Sequence, residues 1–198
     1  LSKIEEFGKN KGYFQYKKIG LLNSTPVQDT KTDVINFDDT VIRVCRDHDI
    51  GDRPKSFDAL KFFCGKQNTL DFLELKSVVK IIENAHRTPP KPIEESLEKI
   101  RVAIPKKIAG SNLIMNYIIN HKELSLSPEE LSEYAACSKN FYLIVDNDIS
   151  QDGLSSFYFN MVFASAFRQI ENDNPIIVKG LMEIDEEYRS AGRQLPSG

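Results

Sequence analysis

The run Phe141-Tyr142-Leu143-Ile144-Val145 constrains the fold more than any other stretch of this chain. It is apolar without a break and lies between Asn140 and Asp146. A half-buried strand alternates apolar and polar residues, so an unbroken run of this length reads as a strand buried on both faces. Such a strand belongs inside a sheet flanked by helices, which places the chain in the α/β class.

The other segments are read around it. The N-terminus predicts a short helix to about Phe7, limited by Gly8 and Gly12. Residues 20–33, with Pro26, read as loop, and the β-branched run Val41-Ile42-Arg43-Val44-Cys45 as a strand over 40–46. Asp47 to Pro54 reads as a connection. Phe57–Cys64 and Thr69–Lys76 read as the two strands of a hairpin turning at 65–68. The Pro-rich stretch Thr88–Pro92 stops any helix begun at Ser77. Leu97, Ile100, Ile104, Ile108, Leu113, Ile114, Tyr117 and Ile118 then roughly follow helical spacing over about 93–120, with Pro105 and Gly110 expected to kink or divide that helix. Ser127-Pro128-Glu129-Glu130 is a capping-box start. Residues 155–171 and 178–190 are expected to be helical. The sum is one α/β domain over 1–198, a mixed sheet with its core at about 40–146 and a helical C-terminal part at about 150–198.

Composition excludes several classes. With 198 residues, 40% hydrophobic and 28% charged, the chain can bury a sizeable core and does not have the makeup of a disordered protein. No apolar run approaches the roughly 18 residues needed to span a bilayer, so no membrane partner is expected. Leu1–Glu6 lack the features of a signal peptide. Leu1 in place of an initiator Met reads as a chain cut from something longer. Cys45, Cys64 and Cys137 have no metal-type spacing and read as reduced thiols, with a cytoplasmic location expected.

The net charge of −3 speaks against a polyanion partner only until it is divided. Residues 1–18 carry +3, 19–75 carry −3, 76–122 carry +5 and 123–198 carry −8. A polyanion responds to the local field of the basic segments.

The chemistry concentrates on the hairpin. Side chains alternate along a strand, so Phe72, Glu74 and Lys76 share one side while Leu73 and Leu75 face the other. A loop centred at position 66 sets Asp58 opposite Glu74; a four-residue loop over 65–68 sets it opposite Leu75. In the first register two carboxylates lie close enough to share one divalent cation. Oxygen ligands favour Mg²⁺, with Mn²⁺ as the alternative. The carboxylates would hold the metal, the Leu75 carbonyl would add a ligand, and Lys76 would orient or deprotonate the attacking water.

Asp58 followed by Glu74-Leu75-Lys76 resembles the signature of the PD-(D/E)XK, or restriction-endonuclease-like, nucleases. The resemblance implies a helix, three antiparallel strands, a helix and a fourth strand (αβββαβ), that is, a four-stranded mixed sheet flanked by helices. It implies a Mg²⁺-dependent endonuclease hydrolysing phosphodiester bonds, DNA in preference to RNA, with restriction, repair and toxin roles all open. Phe57 stands where the family often has Pro. Some members add an acidic residue from the first helix, for which Glu5 and Glu6 are the candidates. Lys80, Lys106 and Lys107 would neutralise backbone phosphates.

The competing expectation is a non-catalytic module, of nuclease fold or another α/β fold, that binds a protein partner or inhibitor through its acidic C-terminal part. Asp146–Asp152 begins like a calcium loop but lacks its Gly and Glu, and His48, His86 and His121 have no zinc-type spacing.

Overall fold

The computed structural model describes residues 1–22, 30–64, 68–77, 80–81, 84, 86, 89, 92–145 and 175–193. The expected helix at 155–171, the Asp146–Asp152 segment and most of the hairpin turn lie outside the described residues. The elements, in chain order, are α1 (Ser2–Asn10), β1 (Tyr16–Lys18), a 3-10 turn (Ile19–Leu21), β2 (Asp33–Asn36), α2 (Phe37–Asp47), β3 (Ala59–Phe63), β4 (Thr69–Lys76), α3 (Ile93–Ile119), α4 (Pro128–Ala136), β5 (Ser138–Val145), β6 (Ile176–Gly180) and α5 (Leu181–Arg193). The strands form one six-stranded sheet in the order β1-β2-β3-β4-β5-β6. Strands β1 to β4 pair antiparallel, and β4, β5 and β6 run parallel. The architecture is thus α/β with a mixed open sheet flanked by helices.

β5 is the doubly buried strand that its sequence demands. Phe141 joins the cluster under α2 and the C-terminal half of α3, with Phe57, Phe72, Val44, Ile114 and Ile118. Leu143 and Val145 meet Leu97, Ile100 and Ile104 of the N-terminal half of α3. Tyr142 and Ile144 face the other way, against Leu181, Ile184 and Tyr188 of α5. Phe72 and Phe141 stack at 5.5 Å and 15°. Aromatic pairs of this kind add to the burial that joins β4 to β5.

Three expectations are corrected. Val41–Cys45 lies inside α2, not on a strand. Phe37, Thr40, Val41, Val44 and Cys45 are its buried residues, at helical spacing, and Asn36 caps the start: its Oδ1 accepts from the Asp39 N–H while its Nδ2 donates to Asp39 Oδ2. The place beside β3 is taken by β2, and with β1 and β6 the sheet has six strands rather than four. The C-terminal part is not wholly helical, because β6 precedes α5 where one helix over 178–190 was expected.

α3 is undivided, with Pro105 inside it. Gly110 has a separate reason to be there. A Cβ at that position would lie 1.9 Å from the Lys55 carbonyl oxygen, so the segment before β3 rests backbone-to-backbone on the helix. α1 runs past Phe7 to Asn10, because Gly8 admits the Phe14 ring where a Cβ would sit 2.2 Å from it. Ser127 caps α4 through both bonds of a capping box. None of the described helices is long and apolar enough to cross a membrane.

α5 is fastened by polar groups as well. Asp185 accepts the Thr32 N–H at 2.7 Å and the Lys31 N–H at 3.0 Å. Asp71 of β4, 3% exposed, accepts from Asn140 Nδ2 at 2.7 Å and from the Tyr188 hydroxyl at 3.0 Å. Burial pushes its carboxyl above the ordinary range despite these two bonds. An acid raised by folding stabilises the fold fully below its unfolded value, about 3.9, and loses that contribution as pH rises through its folded value. Asp71→Asn is therefore expected to gain stability relative to the parent chain between pH 4.5 and pH 8. Urea unfolding at the two pH values measures this. An equal pH dependence in both proteins would show that Asp71 does not supply it.

Candidate functional site

β3 and β4 set the register of the site. Ala59 pairs with Leu73 and Leu60 with Phe72. That register, continued one residue, places Asp58 opposite Glu74, the first of the two alternatives. The Asp58 N–H still donates to the Leu73 carbonyl at 3.0 Å. Its Oδ2 accepts the Leu75 N–H at 2.7 Å, which turns the carboxylate back over the end of β4. Leu75 therefore meets Asp58 through its amide.

Glu74 projects with Leu70 and Phe72 toward α3, as strand alternation requires. Its side chain is 2% exposed. Two ammonium groups meet it there. Lys76, at the end of β4, lies 2.5 Å from Oε1, and Lys107, from the middle of α3, lies 2.5 Å from Oε2. The Lys107 Nζ also lies 3.4 Å from Asp58 Oδ1. One cation thus touches both carboxylates. Lys107 was expected on a phosphate-facing surface; it stands instead between the two acids.

A third acid completes the cluster. Asp38, in the first turn of α2, accepts a hydrogen bond from the Ser56 hydroxyl at 3.3 Å. It lines a cleft of ≈ 540 Å³ together with Asp58, Ser56, Lys55, Arg53 and Lys107. Glu5 lies elsewhere: it accepts from the Tyr16 hydroxyl and pairs with Lys9. Glu6 is exposed on α1. The acid near the pair is thus supplied by α2, a helix that the strand reading of 41–45 concealed. The cap residues Asn36 and Asp39 were the signal that could have revealed it.

The electrostatics follow from this crowding. Burial and the charge of Asp58 raise Glu74 above the ordinary carboxylate range, against the pull of Lys76 and Lys107. Asp38 is raised by desolvation in the cleft and by Asp58. For Lys107 burial works against the charge, but Glu74, Asp58 and Asp38 together hold the ammonium above the usual lysine value. Asp58, Glu74 and Asp38 thus gather around Lys107, with Lys76 on Glu74 and with Arg53 and Lys55 lining the same cleft.

Among the described residues no group of three or more His, Cys, Asp or Glu side chains is placed to hold a metal ion. Mg²⁺ does not require one, since it is commonly held by one or two carboxylates with water and substrate phosphate. Asp58 and Glu74 are the two carboxylates that could take part in such a site, since the Lys107 ammonium lies 3.4 Å from one and 2.5 Å from the other. Lys80 is exposed on a short helical piece beyond β4, its N–H donating to Ser77 Oγ. Lys106 is exposed on α3, in a second cleft of ≈ 410 Å³ with Lys55, Glu98, Lys99, Val102 and Ala103.

No protein-family model, curated protein or solved structure gives a significant match to this chain.

Proposed function

We propose that the chain is a divalent-metal-dependent nuclease that hydrolyses phosphodiester bonds, in DNA in preference to RNA. The observation that carries this is the convergence of Asp58 and Glu74 on one ammonium, with Lys76 on the same carboxylate. The element order supports the reading: after α1, the antiparallel strands β2, β3 and β4 lead through α3 to the parallel strand β5, with α2 inserted between β2 and β3. That order is compatible with a restriction-endonuclease-like core.

Asp58 and Glu74 would hold Mg²⁺ or Mn²⁺, which when bound polarises a phosphate oxygen and lowers the pKa of bound water. Lys76, its side chain 30% exposed and its Nζ paired with Glu74 Oε1, would orient or deprotonate the attacking water and balance charge at the phosphate. The Asp58 carboxylate is itself oriented by the Leu75 N–H, so the strand backbone fixes one of its oxygens.

A second reading has an observation of its own. Each oxygen of Glu74 already carries an ammonium, as in a structural ion network, which suits a non-catalytic module binding a protein partner. Supercoiled plasmid incubated with the protein in Mg²⁺ or in EDTA separates the two. Nicking only with Mg²⁺ is expected, slowed about a thousandfold in Asp58→Asn, for the several kcal/mol that a positioned metal supplies. Cleavage that continues in EDTA, or is unchanged in Asp58→Asn, would overturn the assignment.

A further inference from the structure

The cleft at Asp58 and the cleft at Lys106 share two lining residues, Lys55 and Ala103. They adjoin as one trough, from Asp58 across the segment before β3 to the exposed face of α3. Resting on the nuclease reading, we infer that this trough is the path of a duplex backbone, with a flanking, non-reacting phosphate held by Lys55 and Lys106.

Charge pairing along the trough supports this. Several exposed cations elsewhere are tied to carboxylates, as Lys3 is to Glu130, Lys11 to Glu123 and Lys18 to Asp33, and on the trough wall Lys99 is tied to Glu95, whereas Lys122 is exposed without an ion pair among the described residues. Arg53, Lys55 and Lys106 are exposed, line the trough and make no ion pair among the described residues. The acid on that wall, Glu98, is engaged by Arg101 at 2.9 Å. Cations left without carboxylates beside a phosphodiester site are available to phosphates.

The position of Lys55 is also built. Gly110 lets the Lys55 carbonyl press against α3, and buried Ser111 holds the next residues by accepting the Phe57 N–H at 3.1 Å. Both anchors lie within about one turn of Lys107, so the loop cation and the site are mounted on one helix. The lining residues include no aromatic side chain for base stacking. Single strands are commonly gripped by such stacking. A trough lined by cations at its rim and without a stacking platform fits the outer backbone of a duplex.

The test is binding of the whole chain, in EDTA, to two unrelated fluorescein-labelled 20-base-pair duplexes and one matching single strand, followed by anisotropy between 50 and 200 mM NaCl. For Lys55→Ala/Lys106→Ala the slope of log K against log salt is expected to become shallower by about 0.9 per lysine lost. Both duplexes should weaken alike, and Lys55→Arg/Lys106→Arg should restore the parent slope. An unchanged slope, no binding by the parent chain at 50 mM salt, or tighter binding of the single strand would each overturn the inference. Hydrolysis of bis(4-nitrophenyl) phosphate in Mg²⁺ judges the chemistry separately. If the parent chain fails to hydrolyse the diester or nick plasmid, the nuclease reading falls while the salt slope still decides the backbone path.

Discussion

In Lys107→Met the metal-free protein is expected to lose about 3–5 kcal/mol of unfolding free energy, the usual cost of breaking a buried ion pair by removing one partner. Lys107 is the only described cation that touches both Asp58 and Glu74, and its side chain is 17% exposed. Met fills similar volume without charge. Lys76 remains on Glu74 Oε1 but makes no such contact with Asp58. Glu74, already raised by burial and by Asp58, is then raised further. Because a raised acid loses its contribution as pH increases, the deficit should be larger at pH 8 than at pH 5. Mg²⁺ should restore more stability to the variant than it adds to the parent chain, because in the parent a cation must compete with the ammonium for the same oxygens. Urea unfolding with EDTA and with Mg²⁺ measures both effects. A loss under about 1 kcal/mol, the range of an exposed pair, would show that Lys107 is no buried counter-charge. Equal stabilisation by Mg²⁺ in the two proteins would show that the ammonium and the metal do not share a position.

The hairpin and the buried strand were legible because local rules decide them. Strand β4 follows the Thr69–Lys76 boundaries set by alternation, while the choice between the two registers, and with it the approach of Asp58 to Glu74, is made by the strand pairing and not by the sequence pattern. The unbroken apolar run at 141–145 gave β5 and its two covered faces. Helix α2 is masked in the sequence by the intrinsic strand preference of its β-branched residues. Their spacing, and the Asn36–Asp39 cap, carried the stronger signal. The position of Lys107 could not be read in this way. It depends on where the middle of α3 meets the sheet, which is set by long-range packing of Ile104 on β5 and by the Gly110–Lys55 approach. Two neighbouring lysines of one helix, identical as local sequence, thus part company: Lys106 stays exposed in the trough and Lys107 enters the acid cluster.

The two lysines on Glu74 also divide the proposed work, and Lys76→Met tests the division. Lys107 is held between acids, whereas Lys76 touches Glu74 alone and stands at the open end of β4. Turnover of plasmid is expected to fall by about 10²–10⁴, the range for loss of a positioned proton-transfer group. KM and duplex affinity in EDTA should change little, because Lys76 lies off the lining of the trough. Stability should fall less than in Lys107→Met, since the pair that is lost is more exposed and Lys107 still covers Glu74. Lys76→Arg then separates two forms of help. Arg keeps the charge but does not give up its proton, so recovery of kcat in Arg means that charge next to the phosphate is what matters. If Arg is as slow as Met, and the basic or acidic limb of the pH–rate profile is lost in both, Lys76 acts through its proton. A fall of less than tenfold in Lys76→Met would remove Lys76 from the chemistry and leave the carboxylate pair to act without it.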